Sequence, residues 1–268
     1  DEEGFLYFSD QPNDLIRHIG PDGTVKVYLQ PSGVTNGLAF DYEGRMIMCQ
    51  SNEGNYPENP DAAKRRIARQ EHDGSTTVLA DSYEGKPFIG PNDLCLDKKG
   101  RIYFTDPYYP ESGVEKPQPV SGVYRIDAPG KVSRVVDDLQ KPNGILISHD
   151  QQNMYISDRG TQQLHRYRLA PDGSLTHQEV VFTFPGRGIY GMAMDQQGLI
   201  YGAAGSGEAT GVYVIDPAKK KMMDFKQFPA TAFNVCFGGE DARTLYVCSG
   251  GSVYALKTKN QGWILPHE

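Results

Sequence analysis

The sequence predicts an all-β fold, a six-bladed β-propeller with about four antiparallel strands per blade around a central channel, and three observations predict it. Short strand-like patterns recur along the 268 residues at intervals of 40 to 56, which suits propeller blades better than a sandwich. Gly (30) and Pro (18) together exceed their usual share of about 12%, favouring many turns and few long helices. The strands of one pattern alternate β-branched or aromatic residues with polar ones and run into Pro/Asp/Gly turns, the signature of hairpins.

The first pattern is a short apolar-aromatic strand with six copies: Phe5 to Asp10, Arg45 to Gln50, Arg101 to Asp106, Asn153 to Asp158, Leu199 to Ala204 and Thr244 to Ser249. The second runs from a strand into a turn and begins at Leu15, Arg66, Val123, Leu164, Val212 and Val253. Pro-Asp-Gly, His-Asp-Gly and Ala-Pro-Gly supply the backbone angles that tight turns require. The third pattern leads into the first and has five copies, beginning at Asn36, Asn92, Asn143, Tyr190 and Asn234. Asp1-Glu2-Glu3-Gly4 matches the Asp-x-x-Gly turn that closes this pattern at Asp41, Asp97 and Asp195. A single propeller domain over residues 1–268 is therefore expected, with its first inner strand supplied from upstream of residue 1. Asp61 to Gln70 carries a weak helix signal, but its place in the repeat predicts a strand from about Arg65.

Composition narrows the partners. With 27 Lys+Arg against 34 Asp+Glu the formal charge is −7, the wrong sign for a surface that follows nucleic-acid phosphates. No run approaches the length of an apolar membrane span and no signal segment is visible, so no membrane partner is expected. The compartment and oligomeric state are left open. Cys49, Cys95, Cys236 and Cys248 are too scattered for a disulfide framework or a zinc site, and are expected to be buried thiols. No Asn-x-Ser/Thr sequon is present.

If the third pattern is the innermost strand of each blade and the first returns to the same face, two sets of side chains meet at one mouth of the channel. Strand starts supply Asn36, Asn92, Asn143, Tyr190 and Asn234; strand ends supply Asp10, Gln50, Asp106 and Asp158. Such a ring of amide and carboxylate oxygens suits a hard divalent cation. The same residue types also begin and end strands because their side chains bond to backbone in turns.

The residues resemble the senescence marker protein (regucalcin), gluconolactonase and luciferin-regenerating family over essentially the whole chain. The most specific pieces are PNDLCLDKKGRIYFTDPYY from Pro91 and KPNGILISHD from Lys141. The resemblance implies a divalent cation, usually calcium, with magnesium, manganese or zinc as alternatives, and a small-molecule lactone substrate that is hydrolysed. It places the metal-binding Pro-Asn-Gly asparagine at Asn143, and the Asn-Asp pair that helps to bind metal or substrate at Asn92 and Asp93. Two slots depart from the pattern. The ligand Glu of the family's N-terminal Glu-Gly-Pro motif would lie upstream of Asp1, and Glu2, Glu3 and Glu268 are not at its place. Tyr190-Gly191 stands where the family has Asp-Gly, so a phenol replaces a metal ligand that acts as acid or base. A phenol is neutral at neutral pH where a carboxylate is ionised, so weaker metal binding and a lost proton shuttle are expected.

In the mechanism that the resemblance implies, the ion polarises the lactone carbonyl, activates water and stabilises the oxyanion. A carboxylate takes the water proton and returns it to the ring oxygen. With Tyr190 at the usual base position, Asp93 and Asp106 are the next candidates. Tyr108 and Tyr109, after Asp106-Pro107, are candidates for the apolar face of a sugar ring, and Arg187 for a sugar acid's carboxylate. The rival reading is a noncatalytic propeller that binds a small ligand or a partner protein, motivated by Tyr190. Gly202 to Gly211 looks like a phosphate loop but precedes a strand, so a hairpin is expected. The six histidines lack zinc spacing, and no Ser lies in a GxSxG elbow.

Overall fold

A computed structural model describes residues 1, 3–51, 64–112 and 116–264. Among them the chain forms six antiparallel blades arranged as a β-propeller. Blade one holds β1 (Leu6–Asp10), β2 (Leu15–Ile19) and β3 (Val25–Leu29). Blade two holds β4 (Thr35–Phe40), β5 (Met46–Gln50), β6 (Arg66–Gln70) and β7 (Thr76–Ala80). A small hairpin, β8 (Ser82–Tyr83) with β9 (Lys86–Pro87), leads to blade three: β10 (Leu94–Leu96), β11 (Ile102–Asp106), β12 (Gly122–Ala128) and β13 (Lys131–Val136). Blade four is β14 (Pro142–Ile147), β15 (Asn153–Asp158), β16 (Gln163–Leu169) and β17 (Leu175–Thr183). Blade five is β18 (Met192–Met194), β19 (Ile200–Ala204), β20 (Gly211–Asp216) and β21 (Lys221–Gln227). Blade six is β22 (Ala232–Gly238), β23 (Thr244–Ser249) and β24 (Ser252–Lys257). Contacts divide the chain into two units of three blades each, the first ending at Leu139 and the second beginning at Gln140.

The repeat predicts these strands closely. First-pattern strands are the second strand of each full blade, and β5, β11 and β19 are buried at every position, which explains an apolar run in place of strict alternation. The outermost strands show no recurring sequence signature because they are largely exposed edges, as at β3 and β21. The core lies between neighbouring blades. In the first unit Ile47, Ile67, Phe88, Leu94, Phe104 and Tyr124 fill one such layer; in the second, Tyr155, Leu164, Ile189, Met194 and Tyr213 fill another. The turn that ends each third-pattern strand is built by its aspartate. Asp41 Oδ1 accepts from the backbone N–H of Glu43 and Arg45, and Gly44 closes the turn at φ +74°. Asp97 and Asp195 repeat this turn.

The weak helix signal at Asp61 to Gln70 resolves as strand β6 from Arg66, in register with β5; its start, Asp61 to Ala63, lies outside the described residues. Gly202 to Gly211 is the expected hairpin, with a single 3-10 turn and no α-helix. The cysteines are free, but of the four only Cys49 is buried: Cys95 and Cys248 are half-buried, and Cys236 lies at an exposed position of β22, because alternate positions of that strand leave the core. No helix among the described residues is long and apolar enough to cross a membrane.

Candidate functional site

In the first unit, Asn92 and Asp93 sit immediately before β10 and are pinned to Thr105 of β11. The Asn92 N–H donates to the Thr105 carbonyl (2.8 Å), and the Thr105 N–H donates to the Asp93 carbonyl (3.0 Å). The Asp93 N–H donates to Thr105 Oγ1 (3.2 Å), while Asp93 Oδ1 accepts from the Leu94 N–H at 3.0 Å. The pair is held from its other side by blade two, where the Gly37 N–H donates to the Asn92 carbonyl at 2.8 Å. Gly37 is required there. A Cβ on it would stand 2.7 Å from the Asn92 carbonyl oxygen and 2.9 Å from Asp93 Cα. Asn36 is fixed in turn by Ser9, whose hydroxyl donates to its carbonyl at 2.7 Å.

The second unit repeats the device. Tyr190 donates its N–H to the Ala203 carbonyl (2.9 Å), and the Ala203 N–H donates to the Gly191 carbonyl (3.0 Å), so Tyr190-Gly191 occupies the slot of Asn92-Asp93. Gly144, after the buried Asn143, lies against Tyr190, since a Cβ on it would meet the Tyr190 carbonyl oxygen at 2.7 Å. Gly191 lies against the Asn234 side chain, where a Cβ would collide with the amide oxygen. Glycine after Asn36, Asn143 and Tyr190 thus lets one inner strand approach the next, and it sets the preceding side chain at the strand start. In blades two and four the register between the first two strands shifts at Asn36-Gly37 and Asn143-Gly144, the kind of irregularity that re-aims a side chain.

The strand-end set has other employment. Both oxygens of Asp106 are engaged, accepting from the N–H of Ile89 (2.9 Å) and Gly90 (2.7 Å). Asp158 accepts from the N–H of Gln140, Lys141 and Gly160. The Gln50 amide donates to the Ser32 carbonyl, and Asp10 accepts from Asn13 and Arg17. In blades two, three and four these side chains satisfy the loop that enters the inner strand, whose buried backbone groups need partners. Asp106 is fully buried, and burial pushes its carboxyl up to about 7, although both N–H donors and Arg65 pull the other way. The strand-end side chains of these three blades are thus bonded to neighbouring backbone, while Asn92-Asp93 and Tyr190-Gly191 are held at the strand starts through their own backbone. Tyr108 donates its N–H to Ser121 Oγ and has Lys116 Nζ 5.2 Å from its ring centre.

Around Tyr190 the structure adds a residue that the sequence did not single out. Arg159 and Arg187 both donate to the phenol oxygen, at 2.8 and 2.9 Å. The Arg159 guanidinium also lies 3.8 Å from the ring centre, and Phe233 meets the ring edge-on at 5.5 Å. A signal was present: Arg159 directly follows a first-pattern strand, a slot occupied elsewhere by Gln11, Ser51, Pro107, Gly205 and Gly250.

The sequence profile described as the SMP-30/Gluconolactonase/LRE-like region matches residues 1–251. The chain belongs to this family. Among SMP-30/gluconolactonase-like relatives, a gluconolactonase of Zymomonas mobilis is 27% identical over 96% of this chain and 76% of its own length. The structure of a gluconolactonase from Xanthomonas campestris superposes with a TM-score of 0.82 at 28% identity, covering 96% of this chain and 82% of that one. A regucalcin of Agrobacterium tumefaciens, described as a calcium-binding protein, shares the fold at a TM-score of 0.78 and 20% identity, over 99% of this chain and 90% of that one.

The donors at the Tyr190 slot do not fit a hard divalent cation. Such an ion seeks anionic oxygen, whereas the phenol oxygen here already accepts from two guanidinium groups. Those two positive charges would repel an ion placed beside it. Among the described residues, no group of three or more His, Cys, Asp or Glu could hold a metal. Glu2 and Glu268 lie outside the described residues.

Proposed function

We propose that this protein hydrolyses a sugar lactone, and that Asn92 and Asp93 carry the chemistry. The observation that carries this reading is the Asn-Asp pair pinned between Thr105 and Gly37 at an inner-strand start, in a chain whose named relatives include gluconolactonases. Rigid placement of a carboxylate and an amide lowers the cost of bringing water and ester together. Asp93 accepts a proton from water as its oxygen attacks the lactone carbonyl, and an N–H of the Asn92 amide donates to the oxyanion that forms. The ring C–O bond then breaks, and the proton passes from Asp93 to the leaving ring oxygen, giving the hydroxy acid. Tyr108 and Tyr109 offer aromatic faces to the sugar ring.

The cation implied by the family enters no step here, because the Tyr190 slot lacks the carboxylate it would need. Tyr190 is expected to weaken any dependence on calcium and to slow the reaction. Proton release from glucono-1,5-lactone, measured with added calcium and with chelator, tests the reading. Hydrolysis above the spontaneous rate supports it, and none under either condition refutes it. The second reading is a ligand-binding propeller without turnover, favoured by the arginine-bound Tyr190. It requires saturable binding of a sugar acid with no hydrolysis.

A further inference from the structure

We propose that Arg159, Arg187 and Tyr190 form an anion site that takes the carboxylate of a sugar acid. The inference rests on the proposed function for the sugar, while the anion site rests on this cluster in the second unit alone.

Two guanidinium groups converge on one phenol oxygen in a chain whose formal charge is −7, so the cluster runs against the general charge of the molecule. Arg187 is exposed, and among the described residues its guanidinium forms no ion pair with a carboxylate. Guanidinium has five N–H donors in a planar fork, and Arg187 shows one of them in use, on the phenol. A carboxylate is the partner that fits the remaining edge in a bidentate pair.

The cluster is also built in advance. Arg159 follows Asp158, whose carboxylate accepts three backbone N–H groups. Tyr190 is clasped to Ala203, and the Arg187 carbonyl accepts from the Gly205 N–H at 2.8 Å. Gly188 brings the Arg187 loop against Asp158 and Arg159, since a Cβ on it would stand 3.3 Å from the Asp158 carbonyl oxygen and 3.5 Å from Arg159 Cα. The phenol holds the two cations apart from solvent-driven rotation by accepting from each, and Phe233 supports the ring from its edge. Preorganisation of this kind lowers the entropy lost when a ligand binds.

Calorimetric titration of the full chain with D-glucarate, a sugar dicarboxylate, tests the site, with inorganic phosphate and neutral D-glucitol as comparison probes. Glucarate is expected to bind, glucitol to bind at least tenfold more weakly, and added salt to weaken glucarate but not glucitol. Arg187→Met is expected to weaken glucarate about ten- to a hundredfold, the loss of a charged hydrogen-bonded pair, with Arg187→Lys in between. Arg187 is exposed, so the variants keep the fold, which an unchanged melting midpoint verifies. Equal affinity for glucarate and glucitol, or an Arg187→Met protein that binds glucarate like wild type, overturns the site. Tight phosphate binding without glucarate binding overturns the carboxylate assignment in favour of a phosphorylated sugar. Hydrolysis of glucono-1,5-lactone by the same chain is measured beside it. Arginine-dependent glucarate binding without lactone hydrolysis supports the anion site while refuting the lactonase reading. Lactone hydrolysis with glucarate binding that is absent or independent of Arg187 does the reverse.

Discussion

Replacing Gly37 by Ala tests how the inner strands set the candidate site. The new Cβ would stand 2.7 Å from the Asn92 carbonyl oxygen, 2.9 Å from Asp93 Cα and 3.1 Å from Asp93 Oδ1. Ordinary contacts of a Cβ begin near 3.4 Å, and two of the three opposing atoms are backbone, so no rotamer change relieves the clash. The strand start must move away from Asn92-Asp93, and the 2.8 Å hydrogen bond from the Gly37 N–H to the Asn92 carbonyl is stretched or lost. That bond is worth about 1 kcal/mol and overpacking adds about 1–3 kcal/mol, so a loss of about 2–4 kcal/mol is expected in urea unfolding at equal slope. Displacement of Asp93 should also lower kcat/KM for lactone hydrolysis, by about a hundredfold for a shift near 1 Å. Gly251→Ala is the control. Its added Cβ meets nothing within 4 Å, so stability should change by no more than about 1 kcal/mol. A Gly37→Ala protein as stable and as active as wild type would refute the claim that this close approach positions the site.

Asp106 makes stability fall with pH. Its native carboxyl is raised from 3.8 to about 7, so between those values the native state keeps a proton that the unfolded state has lost. The contribution of Asp106 to stability should drop across about pH 4–7 by a total on the order of 4 kcal/mol, and the difference in urea unfolding between wild type and Asp106→Asn, measured at several pH values, should change by that amount and sign. Thr105→Val leaves the Asp93 N–H without its 3.2 Å acceptor, and is expected to cost about 1–3 kcal/mol and to lower lactone turnover more than binding. Tyr190→Asp places a carboxylate beside Arg159 and Arg187; glucarate affinity should fall about tenfold or more by calorimetry.

Much of the fold was legible because burial repeats. Strands such as β5, β11 and β19 are enclosed on both faces, so their apolar runs recur at every blade, and each Asp-x-x-Gly turn needs the same aspartate oxygen to accept from two backbone N–H groups. Outer strands left no such mark, since at β21 the exposed positions accept residues as different as Met222 and Lys226. The site was legible only in outline. Asn92, Asn143 and Tyr190 were marked by their place in the repeat and Asp93 by the family resemblance, but a sequence does not single out an aspartate that accepts loop N–H groups, as Asp106 and Asp158 do. Arg159 was missed because its partner, Tyr190, is 31 residues away and meets it only through the fold.

Turnover by Asp93→Asn measures the central claim most directly. The substitution keeps an oxygen to accept the Leu94 N–H, so the unfolding midpoint should stay close to that of wild type while the proton acceptor is lost. Wild type is expected to release protons from glucono-1,5-lactone above the spontaneous rate, and Asp93→Asn to lose about a hundred- to ten-thousandfold of that excess. A wild-type protein with no excess rate, or an Asp93→Asn protein that retains all of it, would contradict the account.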